Sequence, residues 1–334
     1  MTPSYGAQQH GLICGYLFTP TAGGKPLDLA EAVEWLLAEP PDDSAEFIWL
    51  HFDLTHASAQ TWMQTHLALA PEFFEALQLG SRSTRIEDAQ GNLIAVVNDV
   101  AYEFAFDPSE IATLWLSVSQ RVAVSARAHP LRSIDRLREA VKEGSRFNSS
   151  VELLNHLMND QGDVLVRIVR EATMKVDSIE DSLLRGRMKH QRAELGKLRR
   201  VLVRLQRLLA PEPGALFRLL RQPPAWIAAH DLDELRQSTE EFSLVLRDLA
   251  ALQERIKLLQ EEIAAQVSEQ TNRSLFTLTM VTVLALPINI TTGLFGMNVG
   301  GIPFSESRYG FVAMVLMVAV FTMAAAWFAF RRSE

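Results

Sequence analysis

The residues best placed to do chemistry in this 334-residue chain are amides and hydroxyls set in a long uncharged run. Gly293-Leu294-Phe295-Gly296-Met297-Asn298-Val299-Gly300-Gly301-Ile302-Pro303 closes that run. Its glycines permit backbone conformations with positive φ, and Pro303 prevents continuation, so the segment reads as a helix end. Asn298 offers a carbonyl oxygen there. Repeated around a symmetry axis, such carbonyls form a ring that can hold a cation or its hydration shell. Upstream in the same run stand Thr277, Thr279, Thr282, Asn289, Thr291 and Thr292. Polar side chains inside a membrane span usually face the bundle interior or a watery path. Thr282 and Asn289, seven apart, share a helix face; Asn272, Leu275, Leu286, Gly293 and Gly296 fall near the same stripe. The other reading of the threonines is back-bonding to their own helix.

Other groups offer chemistry with a plain structural alternative. His51-Phe52-Asp53-Leu54-Thr55-His56 contains zinc-ligand types, so His51, Asp53 and His56 form a candidate metal site. The alternative is a strand end followed by a helix cap at Thr55 or Ser58. Glu254, Glu261, Glu262 and Glu269 either concentrate cations along a funnel or form a solvated helix face. The basic stretch 185–207 suits anionic headgroups or ion pairs with acidic helices; without aromatic residues it is a poor nucleic-acid surface. No P-loop, Gly-x-Ser-x-Gly or His-Glu-x-x-His occurs, so the chain does not read as an enzyme and no resident cofactor is expected. The single cysteine, Cys14, excludes an intramolecular disulfide framework and a Cys-rich zinc module. A net charge of −8 argues against wholesale wrapping of nucleic acid, and 48% hydrophobic residues against disorder.

Two apolar runs must position the amides. Residues 275–295 and 311–330 carry no charge, and about 20 apolar residues span the ~30 Å hydrocarbon layer. Met1 to Gly11 lacks a basic and an apolar signal region, so the large N-terminal part is expected in the cytosol. Arg273 before the first run, with Arg331 and Arg332 after the second, agrees with cytosolic termini and a short external loop.

The soluble part reads as mixed α/β. Leu12–Phe18, Phe47–Phe52, Asn92–Val100, Ile111–Val118 and Arg121–Ser125 suit strands, with a tight turn at Ser119-Gln120. Helical patterns lie over 27–38, with Asp28 as cap, and over 57–79, broken at Pro71. Helices continue over 150–187 and 191–209, punctuated by Pro211, Pro213, Gly214 and Pro223-Pro224. From about Leu232 an unbroken pattern carries a heptad of Leu235, Phe242, Leu249, Ile256 and Ile263, with Val245, Leu252 and Leu259 at the second position. It runs into the first apolar stretch without a loop signal. Continuity into a membrane favours an oligomeric stalk; an intramolecular bundle is the alternative. Extending this heptad places Thr277, Leu284 and Thr291 on its face.

With these features in sequence, the chain resembles the CorA family of divalent-cation transport proteins. Gly296-Met297-Asn298 matches that family's signature after its first span, and the resemblance covers essentially the whole chain. Val299-Gly300-Gly301-Ile302-Pro303 looks like the zinc-transporting ZntB branch, since the acidic Met-Pro-Glu-like loop of the magnesium branch is missing. The resemblance implies a funnel-shaped homopentamer in a bacterial inner membrane, transporting divalent cations, with zinc and proton coupling proposed for this branch. It implies that Asn272, Leu275, Thr282, Leu286, Asn289 and Gly293 line the pore, with Gly296, Met297 and Asn298 at its mouth. The implied organisation is a cytosolic α/β domain over 1–130, cytosolic helices over 131–230 and a stalk helix over 231–274. The first span (275–295), an external loop (296–310), the second span (311–330) and a basic tail (331–334) follow. The spans contain no His, Cys or carboxylate, so no dehydrated zinc cage is drawn in the membrane. The competing functions are a passive magnesium, cobalt or nickel channel on the same frame, and a membrane-anchored sensor or scaffold.

Overall fold

Seven strands form one sheet: β1 (Leu12–Thr19), β2 (Ala22–Pro26), β3 (Phe47–Asp53), β4 (Arg85–Ala89), β5 (Asn92–Val100), β6 (Ile111–Val118) and β7 (Val122–Arg127). The computed structural model describes residues 9–38, 45–80, 85–101, 105–107, 110–185, 191–297 and 308–331. The spatial order is β2-β1-β3-β7-β6-β5-β4. Only β3 and β7 pair in parallel; the other neighbours are antiparallel. The helices are α1 (Leu29–Leu37), α2 (Ala59–His66), α3 (Pro71–Leu79), α4 (Arg132–Lys142), α5 (Ser150–Leu184), α6 (Gln191–Leu209), α7 (Pro211–Arg221), α8 (Ala229–Phe295) and α9 (Gly310–Arg331).

The central strand β3 is apolar on both faces because both are covered. Phe47 and Trp49 join a core with Leu131, Ile134, Leu137, Leu153, Leu157 and Leu216 from the helical side. Ile48, Leu50 and Phe52 join Leu29, Ala59, Trp62, Met63 and Phe73 on the other. Helices α4, α5 and α7 are therefore one layer of the α/β fold. The chain divides into Met1–Leu259 and Gln260–Glu334, so the sheet and the helices expected over 131–230 lie in one unit.

Several expected elements are present as read. Asp28 caps α1 through a reciprocal box with Glu31, and Ser119 turns β6 into β7 by bonding Val122. The edge strands β2 and β4 were not expected. Gly23-Gly24-Lys25-Pro26 has low β-propensity, but Gly24 allows close packing, since a Cβ there would meet Val141 at 2.7 Å. The strand β4 is read off its turn instead: Gln90 and Gly91 both take positive φ, 55° and 83°, the conformation of a two-residue hairpin loop. Pro211, expected as a break, is the first residue of α7, where a missing N–H costs nothing.

Two buried carboxylates tie the layers together. Asp99 on β5 accepts from Ser133 N (2.8 Å), Ser133 Oγ (3.0 Å) and Val100 N (2.7 Å), so a strand side chain caps α4, whose own Leu131 has no side-chain cap. Glu212 in the first turn of α7 accepts from the backbone N–H of Asn98 at 3.0 Å. Gln161 of α5 donates to the Asn98 carbonyl (2.7 Å) and to Glu212 (2.9 Å). The described pairing of β4 reaches Arg85, opposite Val96; side chains from two helices bond the backbone at Asn98.

Burial raises Glu212 well above the usual carboxylate range and pushes Asp99 up to about 6. The folded chain thus keeps a proton on Asp99 where the unfolded chain has lost it. That contribution to stability is complete below the ordinary carboxylate value and is lost as pH rises through about 6. Denaturation of the full chain in detergent, followed by tryptophan fluorescence, is expected to show the wild type losing stability relative to Asp99→Asn between pH 4 and 6, by roughly 1–3 kcal/mol. Parallel pH profiles would contradict the assignment.

Candidate functional site

The site grows out of α8, whose faces have different environments. Leu235, Phe242, Leu249, Ile256, Leu252, Leu259 and Ile263 are all buried, and Leu246 takes the place expected for the half-buried Val245. Gln253 Nε2 donates to the Leu202 carbonyl of α6 at 2.8 Å, and Arg255 pairs with Asp177 and Glu180 of α5. Through Leu259 the heptad is consumed by packing within this chain, which corrects its reading as an oligomeric seam. The opposite side carries a second seam at the same spacing: Leu244 (56% exposed), Ala251, Leu258 (57% exposed) and Ala265, all exposed. Small alanines and the stronger buried repeat hide it in the sequence.

In the apolar part of α8 most positions are exposed, and none is fully buried. Met280, Leu284, Pro287, Thr291 and Phe295 are half-buried and share one stripe; Ala285 is the sixth half-buried position of this part. Extension of the buried heptad reaches this stripe at Leu284 and Thr291, while Thr277 on the same extension is exposed. Asn272, Leu275, Thr282, Leu286, Asn289 and Gly293 are all exposed, and Asn289 lies about 160° around the helix from Thr291 at ~100° per residue. Seven-residue steps from Leu244 lead through Ala265 to Asn272, Leu286 and Gly293. Parallel steps from Glu254 and Glu261 lead to Leu275, Thr282, Asn289 and Gly296.

The hydroxyls and the amide behave differently. Thr277, Thr279, Thr282, Thr291 and Thr292 each donate to the carbonyl four residues back, at 2.7–2.9 Å. Thr282 is thus internally satisfied, as are Thr277 and Thr279. The Asn289 side chain makes no hydrogen bond among the described residues. Helix α8 persists through Pro287 and ends at Phe295, with Gly296 N donating to the Thr292 carbonyl at 2.9 Å. Met297 is 52% exposed; Asn298, the loop glycines and Pro303 lie outside the described residues, as does the tail 332–334. By length and hydropathy, α8 qualifies to cross a membrane, with a mean hydropathy of 1.7 in its apolar window. The described apolar part of α9, Gly310–Ala324, is shorter, within a helix of 22 residues.

The candidate metal triplet is not assembled. His51 is buried, its Nδ1 lies 2.8 Å from Ser125 Oγ, and that hydroxyl also accepts from Trp49 Nε1 at 2.8 Å. Burial, then the guanidinium groups of Arg127 and Arg138, hold His51 well below the usual imidazole range. Asp53 Oδ1 accepts from the Thr55 N–H and hydroxyl at 2.8 and 2.6 Å, and His56 bonds Ser58 at 3.0 Å. Among the described residues, no group of three or more His, Cys, Asp or Glu side chains is placed to hold a metal. The strand-end alternative describes this segment; the helix cap falls at Ser58, without a side-chain bond.

Comparison with known proteins agrees with this arrangement. The sequence matches the family described as CorA-like Mg2+ transporter protein over residues 44–332, and the chain belongs to that family. It is 28% identical over 331 residues to the divalent cation transporter CmaX of Pseudomonas aeruginosa, covering 97% of this chain and 96% of that protein. It is 26% identical over 283 residues to the zinc transport protein ZntB of Yersinia enterocolitica, covering 84% and 85%. The fold is similar to that of full-length CmaX, with a TM-score of 0.82 and 26% identity over 98% of this chain and 99% of that one. It also resembles the fold of the CorA magnesium transporter from Methanocaldococcus jannaschii, with a TM-score of 0.74 at 19% identity, over 96% and 98%.

The end of α8 leaves no room at Gly296, where a Cβ would meet the Thr292 carbonyl oxygen at 2.9 Å, while one at Gly293 meets nothing within 4 Å. Gly296→Ala is expected to strain the helix end by on the order of 1–3 kcal/mol and to lower divalent-cation flux in proteoliposomes more than Gly293→Ala does. Equal flux in the two variants would contradict a role for the close backbone approach.

Proposed function

We propose that this chain is a divalent-cation transporter whose conduit is lined by the exposed stripe of α8, with copies of the chain arranged around it. The observation that carries the reading is Asn289: an amide without a partner, in an apolar helix, on the face its own chain leaves open. In hydrocarbon such a group costs several kcal/mol. Water in a central path satisfies it, and neighbouring copies provide that path. The homopentamer, the two spans formed by α8 and α9, the bacterial inner membrane and the cytosolic termini are the arrangement that family resemblance favours. Arg273, Arg331 and Arg332 beside the apolar runs support that orientation.

Zinc is the proposed cargo, supported by the ZntB relatives and by the Val299–Pro303 sequence. The absence of His, Cys and carboxylate from both apolar runs means that the path handles a hydrated or partly hydrated ion, so discrimination among zinc, magnesium, cobalt and nickel should be modest. Exposed Glu254 and Glu261, on the seam that leads to Asn289, concentrate cations ahead of it. The spans offer no titratable relay, so proton coupling, if it operates, runs through water or cytosolic groups. The CmaX relative, named for divalent cations in general, supports a broader cargo than zinc, and a passive magnesium, cobalt or nickel channel is the second reading.

Flux of radiolabelled zinc and magnesium into proteoliposomes tests this function. Asn289→Leu and Asn298→Ala are each expected to reduce flux about tenfold or more, a change of ~1.4 kcal/mol or more in barrier height, while Leu284→Ala changes it little. Zinc flux that rises under an imposed pH gradient supports coupling, and flux indifferent to it supports the passive channel. Wild-type flux in both asparagine variants would overturn the conduit.

A further inference from the structure

A cleft of about 720 Å³ opens beside α4 at the end of β7, within the first unit and away from α8. Arg127 and Arg138 line it, and both guanidinium groups bind one carboxylate: Arg127 to Asp135 Oδ2 at 3.0 Å and Arg138 to Asp135 Oδ1 at 2.7 Å. The side chains of Arg127, Asp135 and Arg138 are only 10%, 15% and 21% exposed. Arg138 Nε is buried with no hydrogen-bond partner. Two largely buried cations against one anion leave an excess positive charge, an arrangement that is costly without a further partner.

The neighbouring groups do not supply that partner. The Cys14 thiol hydrogen-bonds Arg138, but burial pushes that thiol up to about 11, so it stays neutral and brings no compensating charge. His51 is buried and neutral. Glu110, at the opposite wall, accepts the backbone N–H groups of Ala105 and Asp107 at 2.6 and 3.2 Å. Lys142, one turn beyond Arg138 on the same helix, forms no ion pair among the described residues and adds a further cation at the rim. Glu139, exposed at the same rim, opposes dense negative charge. Ala101, Ala112 and Pro130 give the cleft an apolar wall, with His129 also on the lining.

We propose that this cleft binds a small organic anion, with one oxyanion head, phosphate or carboxylate, on Arg127, Arg138 and Lys142, and an apolar body against Ala101, Ala112 and Pro130. A planar guanidinium presents two parallel N–H donors to such a head, and Arg127, Arg138 and Lys142 all line the cleft. The glutamate at the rim selects a singly headed ligand over a polyanion. The site is separate from the ion conduit, so its failure would leave the transport reading untouched.

Isothermal titration of the full chain in detergent with phenyl phosphate, benzoate and inorganic phosphate tests the proposal. Saturable binding is expected for at least one of the two aromatic anions, and tighter than for inorganic phosphate. The stronger of the pair identifies the head as phosphate or carboxylate. Arg138→Lys keeps the charge but loses the fork, and should weaken binding about tenfold or more. Lys142→Ala, at an exposed position that leaves folding intact, should weaken it about two- to fivefold. Absence of saturable binding by all three anions overturns the site. So does affinity unchanged in Lys142→Ala together with a properly folded Arg138→Lys.

Discussion

Burying one face of α8 on its own chain is the constraint from which the rest follows. Leu235, Phe242, Leu249 and Ile256 disappear against the soluble layers, each stabilising the fold by on the order of 1.5–3 kcal/mol. That packing fixes the rotation of the helix, and a helix fixed in rotation has its opposite side chosen for it. The opposite side carries Leu244, Ala251, Leu258 and Ala265, exposed and seven residues apart. Continued along the same helix, the steps reach Asn272, Leu286 and Gly293, with Leu275, Thr282 and Asn289 on the adjoining row.

This division resolves a conflict between two readings of the apolar segment. The soluble heptad, extended, selects Thr277, Leu284 and Thr291; the chemistry of amides selects Asn289. On that heptad row Gln270 and Thr277 are exposed while Leu284 and Thr291 are half-buried, so the row is covered only in its later part, and Thr291 has already used its hydroxyl on the Pro287 carbonyl. A face covered by the chain itself is not available to water. Threonines carry little information here, because a hydroxyl in a helix can always turn back to a carbonyl; the Asn289 amide makes no such bond among the described residues.

The fold was largely legible because its signals are local. The apolar run of β3, the Asp28 box and the Ser119 turn each depend on a few adjacent residues. What escaped depends on distant partners. The edge strand β2 exists because Gly24 lets Phe18 and Val141 close over it, and α7 begins at Pro211 because its first turn presents Glu212 to Asn98, more than a hundred residues away. The packing of α4, α5 and α7 on the sheet was not readable for the same reason: helical pattern marks helices, not which surface they cover. Within the site, the polar stripe and the helix end were readable from spacing, while the His51 segment misled because zinc-ligand types also serve as buried strand polar groups, here committed to Ser125 and Trp49.

Water accessibility along α8 tests the central claim most directly. Cys14→Ser provides a cysteine-free background, since the chain has one cysteine. Single cysteines at 282, 284, 289 and 291 can then be treated with a charged, membrane-impermeant thiol reagent in sealed vesicles while cation flux is followed. The account predicts that Thr282→Cys and Asn289→Cys are modified with loss of flux, while Leu284→Cys and Thr291→Cys are spared. Modification of positions 284 and 291, with 282 and 289 protected, would contradict it.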